Sequence, residues 1–252
     1  MGTNKKYMKE FESFCINENL LEELKSKKQT QINHYKHMHW LNQLKNEQDI
    51  KARYDRNIKE AHELLENVRI YHNTGLESLL SILKEEALLS IAGLEKIDAS
   101  FSYRVTSRGI EEEMHKYVFA YPFEGNIFNG LYEIELDKSV EQLENAFFMP
   151  SGWLNYESFL IGSHIMDLKD WKGYMAEYIS VNFEEPADYF RNTPKHLKPE
   201  FLFADKLPTG CIRAIRCLSE LSYKALVAAI KEEFGDNHEY LKLVSYLDEV
   251  EV

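Results

Sequence analysis

Cysteine, proline and glycine are all scarce in this chain of 252 residues, at three, six and eleven respectively. The three cysteines, Cys15, Cys211 and Cys217, are odd in number and lack metal-type spacing. That excludes a disulfide scaffold and fits a reducing, cytoplasmic compartment with inert thiols. No apolar run approaches the ~18–20 residues that span a bilayer. The opening MGTNKKYMKEFESF has no apolar core followed by a small-residue cleavage site, so no secretory signal is expected. Lys6 stands where a myristoylation pattern places Ser or Thr, so lipidation is not expected either. Also missing are GxxxxGK[ST], GxGxxG after a strand, HExxH, GxSxG and paired CxxC, and the chemistries those motifs mark are set aside. There is no internal repeat or low-complexity tract.

Charge is present in excess of one sign. The net charge of −12 argues against a protein that lives wrapped around nucleic acid, whose affinity comes largely from phosphate neutralisation. The excess is uneven: residues 1–60 carry 12 Lys+Arg against 9 Asp+Glu, or +3, which leaves −15 for residues 61–252. A basic arm on an acidic body is expected.

Residues 4–67 contain no proline and are rich in Leu, Lys, Glu, Gln and Asn, which predicts two or three helices. His34, His37 and His39 lie here in HYKHMHW. On a helix the first two share a face and the third turns away, so a helix surface is read and no metal is expected. From residue 68 the texture changes. VRIYH reads as a strand, and Leu76, Leu79, Leu80, Leu83 and Ala87 then recur at helical spacing. KYVFAYP (116–122) and GLYEIEL (130–136) read as strands, and SVEQLENAFF (139–148) as a short helix capped by Ser139. AEYISVNF (176–183) reads as a strand and EEPADYFRNTPKHLKP as a polar loop. EFLFAD and GCIRAIRCL follow as strands joined by KLPT, and two helices close the chain, LSELSYKALVAAIKEEFG and NHEYLKLVSYLDEV. The fold class is α+β, with an N-terminal helical region over residues 1–67 and a domain over 68–252.

Two places invite chemistry. In YHNTGLE, Thr74 and Glu77 fit a capping box. His72 stands just before the helix start, where backbone amides and the helix dipole favour an anionic or ribose ligand, and it reads equally as a core histidine. Glu200 opens an apolar strand directly after a polar loop. It is either a strand-end charge or a carboxylate projecting into a cleft.

The order of four motifs, Tyr71-His72-Asn73-Thr74, LLSILKEEALLS, Tyr117-Val118-Phe119-Ala120 and Glu200-Phe-Leu-Phe, resembles the ADP-ribosyltransferase superfamily over about residues 68–218. Within it the pattern is most similar to the DarT-type toxins that modify DNA, and more distantly to RNA 2′-phosphotransferases. The resemblance implies a split β-sheet core, NAD as co-substrate, and a toxin, effector or phage-defence role, with an antitoxin as a possible partner. It implies that Glu200 stabilises the ribosyl cation, with His72 as its catalytic companion on the adenosine ribose. Tyr71, Asn73 and Thr74 would line the pocket. A ring should stack on the cationic nicotinamide: Tyr103 is the first choice, with Tyr117 and Tyr121 as rivals. Arg104 and Arg108 are either pyrophosphate ligands or surface arginines. The acceptor, nucleic acid or protein, stays open with a lean to DNA or RNA, because Tyr35 and Trp40 stand among the cations of the arm. Two departures from the pattern are Asn73 where many members have Gly, and Glu86-Ala87 where a Gly usually precedes LL. They favour a non-catalytic interaction module as one alternative; the other is an NAD glycohydrolase that uses the same pocket with water as acceptor.

Overall fold

A computed structural model describes residues 48–97, 115–122, 132–149, 166–193 and 199–246. In chain order the elements are α1 (Gln48–Glu66), β1 (Ile70–Thr74), α2 (Leu76–Lys84), β2 (Ala87–Leu89) and α3 (Ile91–Lys96). Next come β3 (Tyr117–Ala120), β4 (Tyr132–Leu136), β5 (Ala146–Met149), β6 (Met166–Asp167), α4 (Trp171–Asn182) and α5 (Pro186–Asn192). The chain continues with β7 (Glu200–Ala204), β8 (Lys206–Pro208), β9 (Ile212–Cys217), α6 (Glu220–Phe234) and β10 (Val244–Tyr246). The class is α+β. Among the described residues, one compact unit takes in those from Arg69 to Leu143 and from Phe203 onward. The other takes in those up to Val68 and from Glu144 to Leu202.

The first unit is built on a four-stranded sheet in the order β1-β4-β9-β10. β1, β4 and β9 run antiparallel, and β10 lies parallel to β9, returning by way of α6. The parallel return is possible because α6 supplies the long crossover such a pair requires. α6 starts on a reciprocal cap: the Ser222 amide donates to Ser219 Oγ at 3.1 Å and the Ser219 amide to Ser222 Oγ at 3.0 Å. It ends at Gly235, whose φ of 99° is a conformation side chains avoid. Buried Leu226 and Ile230 form its inner face, and Tyr132 on β4 donates its hydroxyl to the Ser222 carbonyl at 3.1 Å. A short ladder, β2 with β8, pairs Ala87 with Pro208 and Leu89 with Lys206. Each strand of the ladder follows a left-handed residue, Glu86 at φ 52° and Asp205 at φ 66°.

The second unit packs α1 against α4. Ala61 and Leu65 on α1, and Trp171, Met175 and Ile179 on α4, recur every four residues and are fully buried. The end of α4 is closed by side chains from α1. Asn57 Nδ2 donates to the Phe183 and Glu184 carbonyls at 3.0 and 2.9 Å, Arg56 donates to Glu184 O at 3.2 Å, and Arg53 donates to Val181 O. These donors satisfy carbonyls that a helix terminus leaves unpaired. β5 and β6 pair antiparallel, Phe147 opposite Asp167 and Phe148 opposite Met166.

Several expected elements differ. The α2 helix stops at Lys84, so Ala87 belongs to a strand and not to the helical face. The turn is made by Glu86 in the left-handed region, the different helix ending that a missing glycine requires. Residues 138–142 form only a 3₁₀ turn capped by Asp137, whose carboxylate accepts from the Ser139 amide at 2.8 Å, and AFF enters β5. Burial of Ala146, Phe147, Phe148 and Met149 in a ladder overrides the helical reading. AEYISVNF is helical, because its buried positions continue a four-residue spacing begun at Trp171. The polar loop holds α5, opened by Pro186 at its first turn where proline is well placed. The final segment is a 3₁₀ turn, Glu239–Leu243, followed by β10. No described helix is long and apolar enough to cross a membrane.

Candidate active site

β1 is the strand that carries Tyr71, His72, Asn73 and Thr74. Its pairing with β4 sets His72 opposite Ile134, Asn73 opposite Glu133 and Thr74 opposite Tyr132. On its other side Tyr71 exchanges both backbone hydrogen bonds with Tyr121, at 2.7 Å each. Strand alternation then divides the side chains: His72 and Thr74 share a face with Ile134, Tyr132, Ile215 and Cys217, while Tyr71 and Asn73 share the other with Glu133, Glu135 and Arg216.

His72 is half-buried, and its Nδ1 lies 2.7 Å from the Phe119 carbonyl on β3. A carbonyl only accepts, so Nδ1 carries the proton and donates, and Nε2 is left with its lone pair. Burial holds the imidazole below its ordinary range, against a smaller opposing pull from the Phe119 bond. His72 is therefore neutral at pH 7 and offers an acceptor, which suits a hydroxyl donor better than a phosphate.

Thr74 does not cap α2. The strand runs through it, Gly75 takes the N-cap in extended conformation, and no side chain bonds there. Pairing with Tyr132 keeps Thr74 in the ladder, one residue short of the cap position. Tyr71 and Tyr117 are buried at 1% and 2% exposure, so both are core rings in the described structure, whereas Tyr121 is half-buried. Tyr103, Arg104 and Arg108, with His34, His37, His39 and Cys15, lie outside the described residues.

Glu200 is the first residue of β7, whose five residues are all buried. Its neighbour Phe201 meets Trp171 edge-on, ring centroids 5.0 Å apart, which anchors the strand start in the second unit. Glu200 itself is 6% exposed, and its Oε2 has no hydrogen-bond partner among the described residues. Desolvation pushes its pKa up to about 7. A carboxyl group held out of water without a compensating donor is costly, and such groups are concentrated where proteins do chemistry.

Sequence reasoning missed a buried charged layer on the same sheet as His72. Arg216 Nη1 lies 3.3 Å from Glu133 Oε2, with side chains 5% and 2% exposed, and its guanidinium sits 5.4 Å from the Tyr71 ring centre. Arg69 and Arg213 flank Glu135 at 3.2 and 3.0 Å. The signal was present: in YEIEL the two glutamates are two apart, which puts both on one face of a strand.

No protein-family model matches the sequence, and no curated protein does. Solved structures do. Thermus sp. 2.9 DarT in complex with ADP-ribosylated ssDNA is 15% identical, with 72% of this chain and 94% of that chain covered and a TM-score of 0.47. The same protein in complex with NAD+ is 16% identical over 72% and 96%, with a TM-score of 0.46. Thermosipho africanus DarTG in complex with ADP-ribose is 13% identical over 69% of this chain and 48% of that one, with a TM-score of 0.47. The resemblance is to DarT-type proteins.

Proposed function

We propose that the chain is an NAD-dependent mono-ADP-ribosyltransferase whose acceptor is a nucleic acid. The observation that carries the reading is Glu200, a buried carboxyl group with an unpartnered oxygen at the strand start where the sequence resemblance puts the catalytic glutamate. Breaking the bond between ribose C1′ and the nicotinamide nitrogen builds positive charge on the sugar, and a fixed carboxylate in a water-poor setting opposes that charge strongly. The cationic nicotinamide ring itself favours the ionised form of a carboxyl group poised near pH 7. His72, neutral and presenting Nε2, serves as acceptor for a ribose hydroxyl. NAD as co-substrate, and nucleic acid as acceptor, are also the ligand classes named for the Thermus complexes.

Incubation of the purified chain with labelled NAD and DNA, RNA or a protein extract tests the reading. Label is expected on nucleic acid, and Glu200→Gln is expected to reduce it by about 100-fold or more while NAD binding persists. Nicotinamide release without a labelled polymer would reassign the chain as a glycohydrolase. Labelling that survives Glu200→Gln would sink the role given to Glu200.

A further inference from the structure

We infer that Arg216 and Glu133 are positioning residues that fix the segment Tyr71–Asn73, and through it the ribose-binding imidazole of His72. The inference rests on the NAD reading of β1 given above.

Asn73, Glu133 and Arg216 stand in line across three adjacent strands, β1, β4 and β9, and project to one face of the sheet. Tyr71 stands on the same face, opposite Glu135. From β9 the Arg216 side chain reaches over β4, pairs with Glu133 at 3.3 Å, and places its guanidinium 5.4 Å from the centre of the Tyr71 ring. One side chain thus ties all three strands together. The two β1 residues on this charged face are the immediate neighbours of His72, which points the opposite way. β1 is also the end strand of its four-stranded sheet.

Stability alone is a poor reason for this arrangement. Taking a guanidinium and a carboxylate out of water costs about as much as their attraction returns, and apolar residues of similar volume commonly serve as well. What a guanidinium held between a carboxylate and a ring supplies in addition is a fixed geometry, because its planar fork accepts few orientations near the ring while it keeps its carboxylate partner. The sheet spends that geometry on the one stretch of β1 that carries His72.

The test is steady-state kinetics with NAD, and calorimetric NAD binding, on the full chain and on Arg216→Met, Arg216→Lys and the double variant Glu133→Gln with Arg216→Met. Arg216→Met is expected to raise KM for NAD about tenfold with kcat within about twofold, since loss of positioning weakens binding rather than chemistry. Arg216→Lys, which keeps the charge but not the planar guanidinium, should recover part of the loss. The double variant buries no carboxylate at position 133, so it supplies the measurement if Arg216→Met proves too unstable to assay, and its KM should stay raised. A folded double variant with wild-type KM, or a fall in kcat at unchanged KM, overturns the inference while leaving the NAD reading intact. Failure of the wild-type chain to bind NAD overturns both.

Discussion

Glu200 is a buried acid whose proton makes itself felt in the pH dependence of stability. Its folded pKa of about 7 lies above the ordinary value of 4.5, so the folded state holds its proton where the unfolded chain has released it. The contribution to stability is complete below pH 4.5 and is lost as pH rises through 7, amounting to about 3 kcal/mol in all. Glu200→Gln should therefore flatten the pH dependence of urea unfolding between pH 4.5 and 7. An unchanged slope would mean that the carboxyl group is solvated in solution. His72 acts with the opposite sign. Burial lowers its pKa, so the unfolded chain takes up a proton that the folded one refuses, and stability falls as pH drops below the ordinary histidine range. NAD affinity should hold over that interval and weaken only at lower pH, where the folded imidazole itself takes up a proton at Nε2 and loses its acceptor. A His72→Ala variant should lose that pH dependence together with the affinity.

At the scale of elements, two local features carry measurable energy. Glu86 is exposed and left-handed at φ 52°, so its side chain gains no burial while its backbone is strained. Glu86→Gly should stabilise the α2–β2 turn by about 0.5–1 kcal/mol, read from the thermal midpoint. Asn57 is 2% exposed and holds two carbonyls at the end of α4. Asn57→Ala should cost about 1–2 kcal/mol in chemical denaturation, since the Phe183 carbonyl loses its side-chain donor while Glu184 O, exposed, keeps that of Arg56. The elements also show what the sequence could and could not disclose. β1, β3, β4, β7 and β9 were legible from branched and aromatic residues, and α6 as the first of two closing helices. α4 was not, because Tyr178, Ile179 and Val181 look strand-like unless the window reaches back to Trp171 and Met175. β10 was hidden for the reverse reason: Val244, Ser245 and Tyr246 follow a leucine-rich stretch that suits a helix in isolation, and only the neighbouring β9 makes them a ladder. Of the candidate site, His72 and Glu200 were readable from motif order. Their protonation behaviour was not, because it comes from desolvation and from a carbonyl 47 residues away in sequence.

For the whole molecule the distribution of charge bears on the acceptor. A chain of −12 overall with a +3 segment in residues 1–60 repels a polyanion over most of its length and attracts it at one end. Replacing Lys5, Lys6, Lys9, Lys25, Lys27 and Lys28 by Gln should lower nucleic-acid labelling and its salt dependence, while nicotinamide release without acceptor stays unchanged. Equal labelling by that variant would remove the electrostatic argument for a nucleic-acid acceptor. The two described cysteines offer a way to watch the same molecule breathe. Cys211 and Cys217 are buried at either end of β9, and burial pushes their thiols up to about 12 and about 11. Alkylating reagents attack thiolates, so in the closed protein both sulfurs are chemically silent. Each alkylation event then timestamps an opening of the strand that carries Arg216, and mass spectrometry of the native chain becomes a stopwatch for that sheet without any engineered label.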